Sequence, residues 1–137
     1  VNINSTNILI NKDTTQKFSG KFGIRLNDTP FDQEERIHNQ KLPAVKYFVK
    51  KNNIDKALFK NQKSSIGIVS AGKNWLDLMS SLAILGLNEN KCKELGITCY
   101  KIGVIWPLED QNFKTWAKNL KTIIYFYSLI NHLKIHF

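Results

Sequence analysis

Apolar positions along this chain change their period about halfway through, and the change separates two kinds of sequence. From residue 64 to residue 127, short β-branched runs alternate with stretches whose apolar residues recur every three or four positions. Ile66-Gly67-Ile68-Val69 is bounded by small residues and predicts a buried parallel strand. Trp75, Leu78, Met79, Leu82 and Leu85 then keep helical spacing until Gly86, which ends the helix. Asn88 to Leu95 reads as a short helical turn closed by Gly96, and Ile97 to Val104 as a second strand. After the loop Trp106-Pro107-Leu108, Asp110 is the expected cap of a third helix with Phe113, Trp116, Ala117 and Leu120 on one face. Thr122 to Tyr127 closes the series as a third strand.

A β–α–β–α–β order with helices of this length implies right-handed crossovers and a parallel sheet. The expected fold class is therefore α/β, a three-layer sandwich around a short parallel sheet. In such sheets, ligands bind outside the carboxyl ends of the strands. The turn Ser70 to Asn74 and the loop Ile105 to Asp110 both belong on that edge.

Residues 1–63 are more polar and read as a lead-in. Ile3 to Ile10 is a strand candidate, and Gly20 to Gly23 marks a loop. Thr29 is a good N-cap and Pro30 suits the first helical position. Asp32, Glu34 and Glu35 follow where the helix dipole favours negative charge. A second helix is expected from Pro43 to Lys51, stopped by Asn52-Asn53. Residues 128–137 form an atypical tail.

Composition narrows the function classes. The chain has 137 residues, 42% hydrophobic, with a formal net charge of +9. That excess could mark a nucleic-acid binder, but the lysines are scattered rather than clustered, and Trp75 and Trp116 sit at core spacing. No apolar run approaches the ~20 residues that span a bilayer. Cys92 and Cys99 match no zinc or iron–sulfur spacing and read as ordinary thiols of a reducing cytoplasm. Val1 is neither an initiator Met nor the start of a signal peptide, so an upstream part is expected to be missing.

Candidate chemistry is sparse. Ser70-Ala71-Gly72-Lys73 resembles a phosphate-friendly turn before a helix, yet it has one Gly and Asn74 where a P-loop needs Ser or Thr. The adjacent Glu109 and Asp110 read as helix-capping residues rather than an acid–base pair. Cys99 lies in a strand without a nearby base, and Ser70 lacks a nucleophile elbow. The residues define a fold and no catalytic set.

Five segments in register nevertheless resemble the fused bacterial indolepyruvate ferredoxin oxidoreductases. They are Ile24-Arg25-Leu26-Asn27-Asp28-Thr29-Pro30; Lys41-Leu42-Pro43-Ala44 with Asn53-Ile54-Asp55-Lys56; Ile66 to Asp77; Leu85-Gly86-Leu87 with Leu95-Gly96-Ile97; and Tyr100 to Glu109. The resemblance implies the middle, transketolase C-terminal-like domain of an enzyme that decarboxylates arylpyruvates on thiamine diphosphate with magnesium. Such an enzyme passes electrons through iron–sulfur clusters to ferredoxin and delivers the acyl group to coenzyme A. The family's thiamine motif and cluster cysteines are absent from this chain, so its partners would be the missing thiamine-binding and ferredoxin-like domains. On that reading this chain binds no cofactor itself and is non-catalytic alone. Its edge residues Ser70, Gly72 and Lys73 are the candidates to face substrate or coenzyme A. The alternative is a stand-alone anion- or nucleotide-binding module using Ser70 to Asn74. Past the third helix, where the family carries an acidic pair and a Lys, Thr122-Ile123-Ile124-Tyr125-Phe126-Tyr127-Ser128 stands instead, which would fit a frame change near residue 125.

Overall fold

In the computed structural model, residues 22–23 and 25–126 are described. The strand candidate Ile3 to Ile10, the loop glycine Gly20 and the tail lie outside them. The chain enters through α1 (Pro30–Arg36), a π-helical turn (Ile37–Lys41) and α2 (Leu42–Lys51). The body follows as β1 (Lys56–Leu58), β2 (Ile66–Ala71), α3 (Gly72–Ile84), α4 (Glu89–Leu95), β3 (Ile97–Ile102), α5 (Asp110–Ala117) and β4 (Thr122–Phe126).

The predicted helix start at Thr29-Pro30 forms, whereas α2 continues from the π turn without a start of its own, Lys41 before it being already helical. Thr29 caps α1 reciprocally: its hydroxyl accepts from the Asp32 backbone N–H, and the Asp32 carboxylate accepts from the Thr29 N–H at 2.9 Å. α2 ends at Asn52, as the Asn pair predicts. The π turn between α1 and α2 has no sequence signature.

The four strands stand in the order β1-β3-β2-β4. β2 pairs in parallel with β3 and with β4, so Ile68 faces Cys99 on one side and Ile124 on the other. β1 departs from the parallel expectation. It adds to β3 antiparallel, with Leu58 opposite Cys99, and it comes from the stretch that reads as lead-in. Three residues are too few for a period to show.

The first crossover runs from β2 sideways to β3, and the second returns across β2 to β4. Two crossovers of one hand running in opposite directions must place their helices on opposite faces. They do. Trp75, Leu78 and Leu82 of α3 pack with Cys99, Ile68 and Leu58 on one face. Phe113 and Trp116 of α5 pack with Val69, Tyr100 and Ile102 on the other. The result is the expected three-layer α/β sandwich.

The α5 face is the more specific. Tyr100, Phe113 and Trp116 form a ring cluster with centroids 5.0–5.6 Å apart. The buried Trp116 Nε1 donates to Thr98 Oγ1 at 3.0 Å, and that hydroxyl donates to the Leu58 carbonyl at 2.8 Å, tying helix to central sheet to edge strand. Gly67 makes room for this helix: a Cβ there would come 2.6 Å from Trp116 and from Leu120. On the α3 side, Leu85 is 70% exposed rather than in the core, because it caps the helix beyond the last buried turn at Leu82.

Candidate functional site

β2 and β3 end level, with Ala71 paired to Ile102, and their chains leave toward opposite faces of the sheet. The carboxyl edge between them is thus the switch point of the sheet, where α/β folds form their crevices. The two segments placed there from sequence both leave the sheet at that edge.

On the β2 side, Gly72 takes φ +55° as the chain turns from strand into α3. That is the left-handed region, which glycine enters without a side-chain penalty. Ser70 is buried, and its hydroxyl finds no partner among the described residues. Lys73 extends into solvent, 85% exposed at its side chain, and pairs with Asp77 one turn on, at 3.3 Å. The three candidates are therefore sequence neighbours that differ in access: Ser70 lies beneath the surface, and Gly72 and Lys73 lie on it.

On the β3 side, the loop from Gly103 to Glu109 is pinned from below. Asp55, just before β1, accepts from the Gly103 N–H at 2.7 Å and from the Val104 backbone. A Cβ on Gly103 would strike Ile54 at 2.5 Å, so glycine is needed for that approach. Burial pushes the Asp55 carboxyl above the usual range, against the pull of those two N–H groups. Burial also raises the Tyr100 phenol, helped by the nearby Asp55 and Glu109. Among the described residues the second oxygen of Asp55 and the Tyr100 hydroxyl have no hydrogen-bond partner. Sequence reading missed Asp55, which sits in a polar run 48 positions before the amide it holds.

Glu109, not Asp110, caps α5. Its buried carboxylate accepts from the N–H groups of Gln111 and Asn112 at 3.0 and 2.9 Å. A glutamate one residue earlier reaches the same donors that the shorter aspartate was expected to take. Asp110 instead bridges Lys114 at 2.9 Å and Lys46 at 3.2 Å, and these two ammonium groups hold its carboxyl down to about 2. Above the loop, the Trp106–Pro107 peptide is cis, and the Trp106 ring is 76% exposed.

The edge carries an exposed cation, Lys73, after β2 and an exposed aromatic, Trp106, after β3. Its buried carboxylates Asp55 and Glu109 both accept from backbone N–H groups. Cys99 is fully buried in β3, and burial pushes its thiol up to about 12, away from thiolate chemistry. Among the described residues no three His, Cys, Asp or Glu side chains stand together as a metal site. A cavity of about 650 Å³ lies between α2 and the start of α5, with Lys46, Tyr47, Lys50 and Lys51 on one side and Glu109, Asp110 and Gln111 on the other.

Residues 56–127 match the indolepyruvate oxidoreductase domain family. That stretch is just over half of the chain and runs from β1 through β4. The chain belongs to this family. Among solved structures it is similar to 2-oxoglutarate:ferredoxin oxidoreductase from Magnetococcus marinus, with 2-oxoglutarate, coenzyme A and succinyl-CoA bound, at 15% identity and a TM-score of 0.47. The similarity covers 72% of this chain and 16% of that one, so this chain spans only a small part of that protein's length. No curated protein matches the chain.

Proposed function

We propose that this chain is the structural, transketolase C-terminal-like domain of an oxidoreductase that converts arylpyruvates to aryl-acetyl-CoA and reduces ferredoxin. The family match across the whole sheet carries this reading. Thiamine diphosphate with magnesium, and the iron–sulfur clusters, belong to other parts of that enzyme. The donors present here do not fit them: Cys92 and Cys99 are buried thiols raised by desolvation, and the Glu109 oxygens are occupied by helix amides. The same two free thiols fit a reducing cytoplasm.

Within the intact enzyme, Ser70, Gly72 and Lys73 would form the wall of the substrate or coenzyme A passage. Their position at the switch-point edge supports that role, with Lys73 placed to meet an anionic group. The companion domains would supply the catalytic groups, so the chain alone is inactive.

The test is an assay of arylpyruvate- and coenzyme A-dependent ferredoxin reduction. The purified chain should show none. The intact enzyme should be active, with Lys73→Ala raising the KM for one of the two substrates several-fold at unchanged kcat. Turnover by the chain alone would remove the structural reading. Unchanged KM values would remove Lys73 from the passage.

A further inference from the structure

The two ends of the sheet differ in how their charges are answered. Lysines of this chain commonly meet carboxylates: Lys46 and Lys114 pair with Asp110, Lys73 with Asp77, Lys91 with Glu94 and Lys93 with Glu89. The amino edge departs from that habit. Three segments form it: residues 59–65 between β1 and β2, residues 93–96 at the end of α4, and residues 117–121 at the end of α5. They carry five lysines against one carboxylate, Glu94, which Lys91 already holds at 2.9 Å. Of the five, Lys93 is taken by Glu89, and Lys60 Nζ donates to the Thr115 and Trp116 carbonyls at the end of α5. Lys63, Lys118 and Lys121 are exposed, and no carboxylate among the described residues pairs with them.

The three segments are tied into one surface. The Lys121 N–H donates to the Ser65 carbonyl at 2.8 Å, and the Ser65 N–H donates to the Gly96 carbonyl at 2.8 Å. A Cβ on Gly96 would come 2.7 Å from the Lys63 carbonyl, so the turn after α4 lies directly against the approach to β2. Asn61 holds the same junction. Its side-chain amide donates to the Lys93 carbonyl at 2.8 Å, and its oxygen accepts from the Lys63 N–H at 2.9 Å. The unanswered lysines therefore stand on backbone that is fixed before any partner arrives. Leu95, 48% exposed, stands on the same edge.

Like charges gathered on fixed backbone attract an anionic surface and steer its approach. The chemistry of the edge narrows which surface. Nucleic-acid sites add guanidinium forks for phosphate or exposed rings for bases. The three segments contain no arginine, and their one aromatic, Phe59, packs against the α3 core. An exposed leucine among lysines instead matches a protein interface, in which an apolar contact lies within a polar rim. We propose that the amino edge is a docking face for a carboxylate-rich protein surface, with Lys63, Lys118 and Lys121 meeting its carboxylates and Leu95 supplying the apolar contact. The length of β2 separates this face from Gly72 and Lys73 by about 20 Å, so both edges can be occupied at once.

Titration of the full chain with a synthetic Glu-Glu-Glu-Leu repeat peptide tests this, with poly-glutamate and duplex DNA as comparison probes. Binding of the repeat peptide should shift the amide signals of residues 59–65, 93–96 and 117–121 and weaken as salt rises. K63E/K118E/K121E should lose about tenfold or more in affinity, whereas K50E/K51E/K56E, with the same change in net charge on α2 and β1, should stay within about twofold of wild type. Leu95→Ser should cancel the advantage of the repeat peptide over poly-glutamate. The amide map is read on the wild type, so it decides the location even where a variant fails to fold. No binding, shifts centred on another face, equal losses in the two triple variants, or an unchanged peptide preference in Leu95→Ser would each overturn the proposal. Tighter binding of duplex DNA than of the peptide through the same lysines would also overturn it, and would make the edge a nucleic-acid surface.

Discussion

In the body, the groups that hold one another come from far apart in sequence. Thr98 bonds the carbonyl of Leu58, Gly103 bonds Asp55, and Lys60 bonds the end of α5 through the Thr115 carbonyl. In the arm formed by α1 and the residues before it the span is short. Thr29 bonds Asp32, and Arg36 reaches Asp28 and Gly23. The body is a cooperative object whose elements cannot be removed singly. α1 is ordered by its own turns and leaves Phe31 outside, so it can open while the body stays closed; α2, which buries Ala44 and Val49 and bonds α5 through Lys46 and Lys50, belongs with the body.

Replacing Trp116 with Ala should give the largest effect. It deletes the centre of the ring cluster and leaves Thr98 without its donor, so global unfolding should become easier by about 3–5 kcal/mol. Chemical denaturation read by several probes would show it. If only part of the signal shifted, the body would not be one cooperative unit.

Arg36→Ala comes next and separates the two regions directly. It strands the nearly buried Asp28, at a cost of up to about 3 kcal/mol. That loss should appear as faster amide exchange confined to residues 25–36, with the midpoint of the body unchanged. A matching fall in global stability would erase the distinction between arm and body.

The smallest effect is a slope against pH. Asp55 has a carboxyl raised by burial, so the folded state holds a proton that the unfolded chain has released. Its contribution is fully present below the ordinary 3.8 and is lost as pH rises through the folded value. Asp110 behaves oppositely: its contribution is present above 3.8 and is lost as pH falls toward about 2. Both of its ion pairs are partly exposed, and each is worth only a few tenths of a kcal/mol. Asp55→Asn should therefore flatten the stability curve above 3.8, and Asp110→Asn should flatten it below. The same change of slope from both variants would mean that the loop and the helix start are not distinct electrostatic sites.

The same division explains what could be read from sequence. Local features were legible, because a cap, a period or a Gly stop acts within a few residues. Thr29, Asn52, Gly86 and Gly96 end or start helices where expected, and Trp75 and Trp116 are buried as their spacing implies. The switch-point edge was legible too, because strand order and crossover direction follow from the alternation. The pieces that depend on distant partners were not. β1 is a strand because β3 offers it an edge, and Asp55 matters because Gly103 folds over it. The exchange of roles at Glu109 and Asp110 was hidden for another reason. Two adjacent carboxylates satisfy the same capping pattern, and only the positions of Lys46 and Lys114 decide which of them turns outward.

The two cysteines give the molecule a built-in clock. Both side chains are fully covered, one in α4 and one in β3, and desolvation keeps both thiols protonated. A thiol reagent in solution therefore meets neither of them while the body is closed. Each modification event records an opening of that body, and arm motions pass unregistered. The rate at which the chain takes up label thus counts how often its interior is laid open.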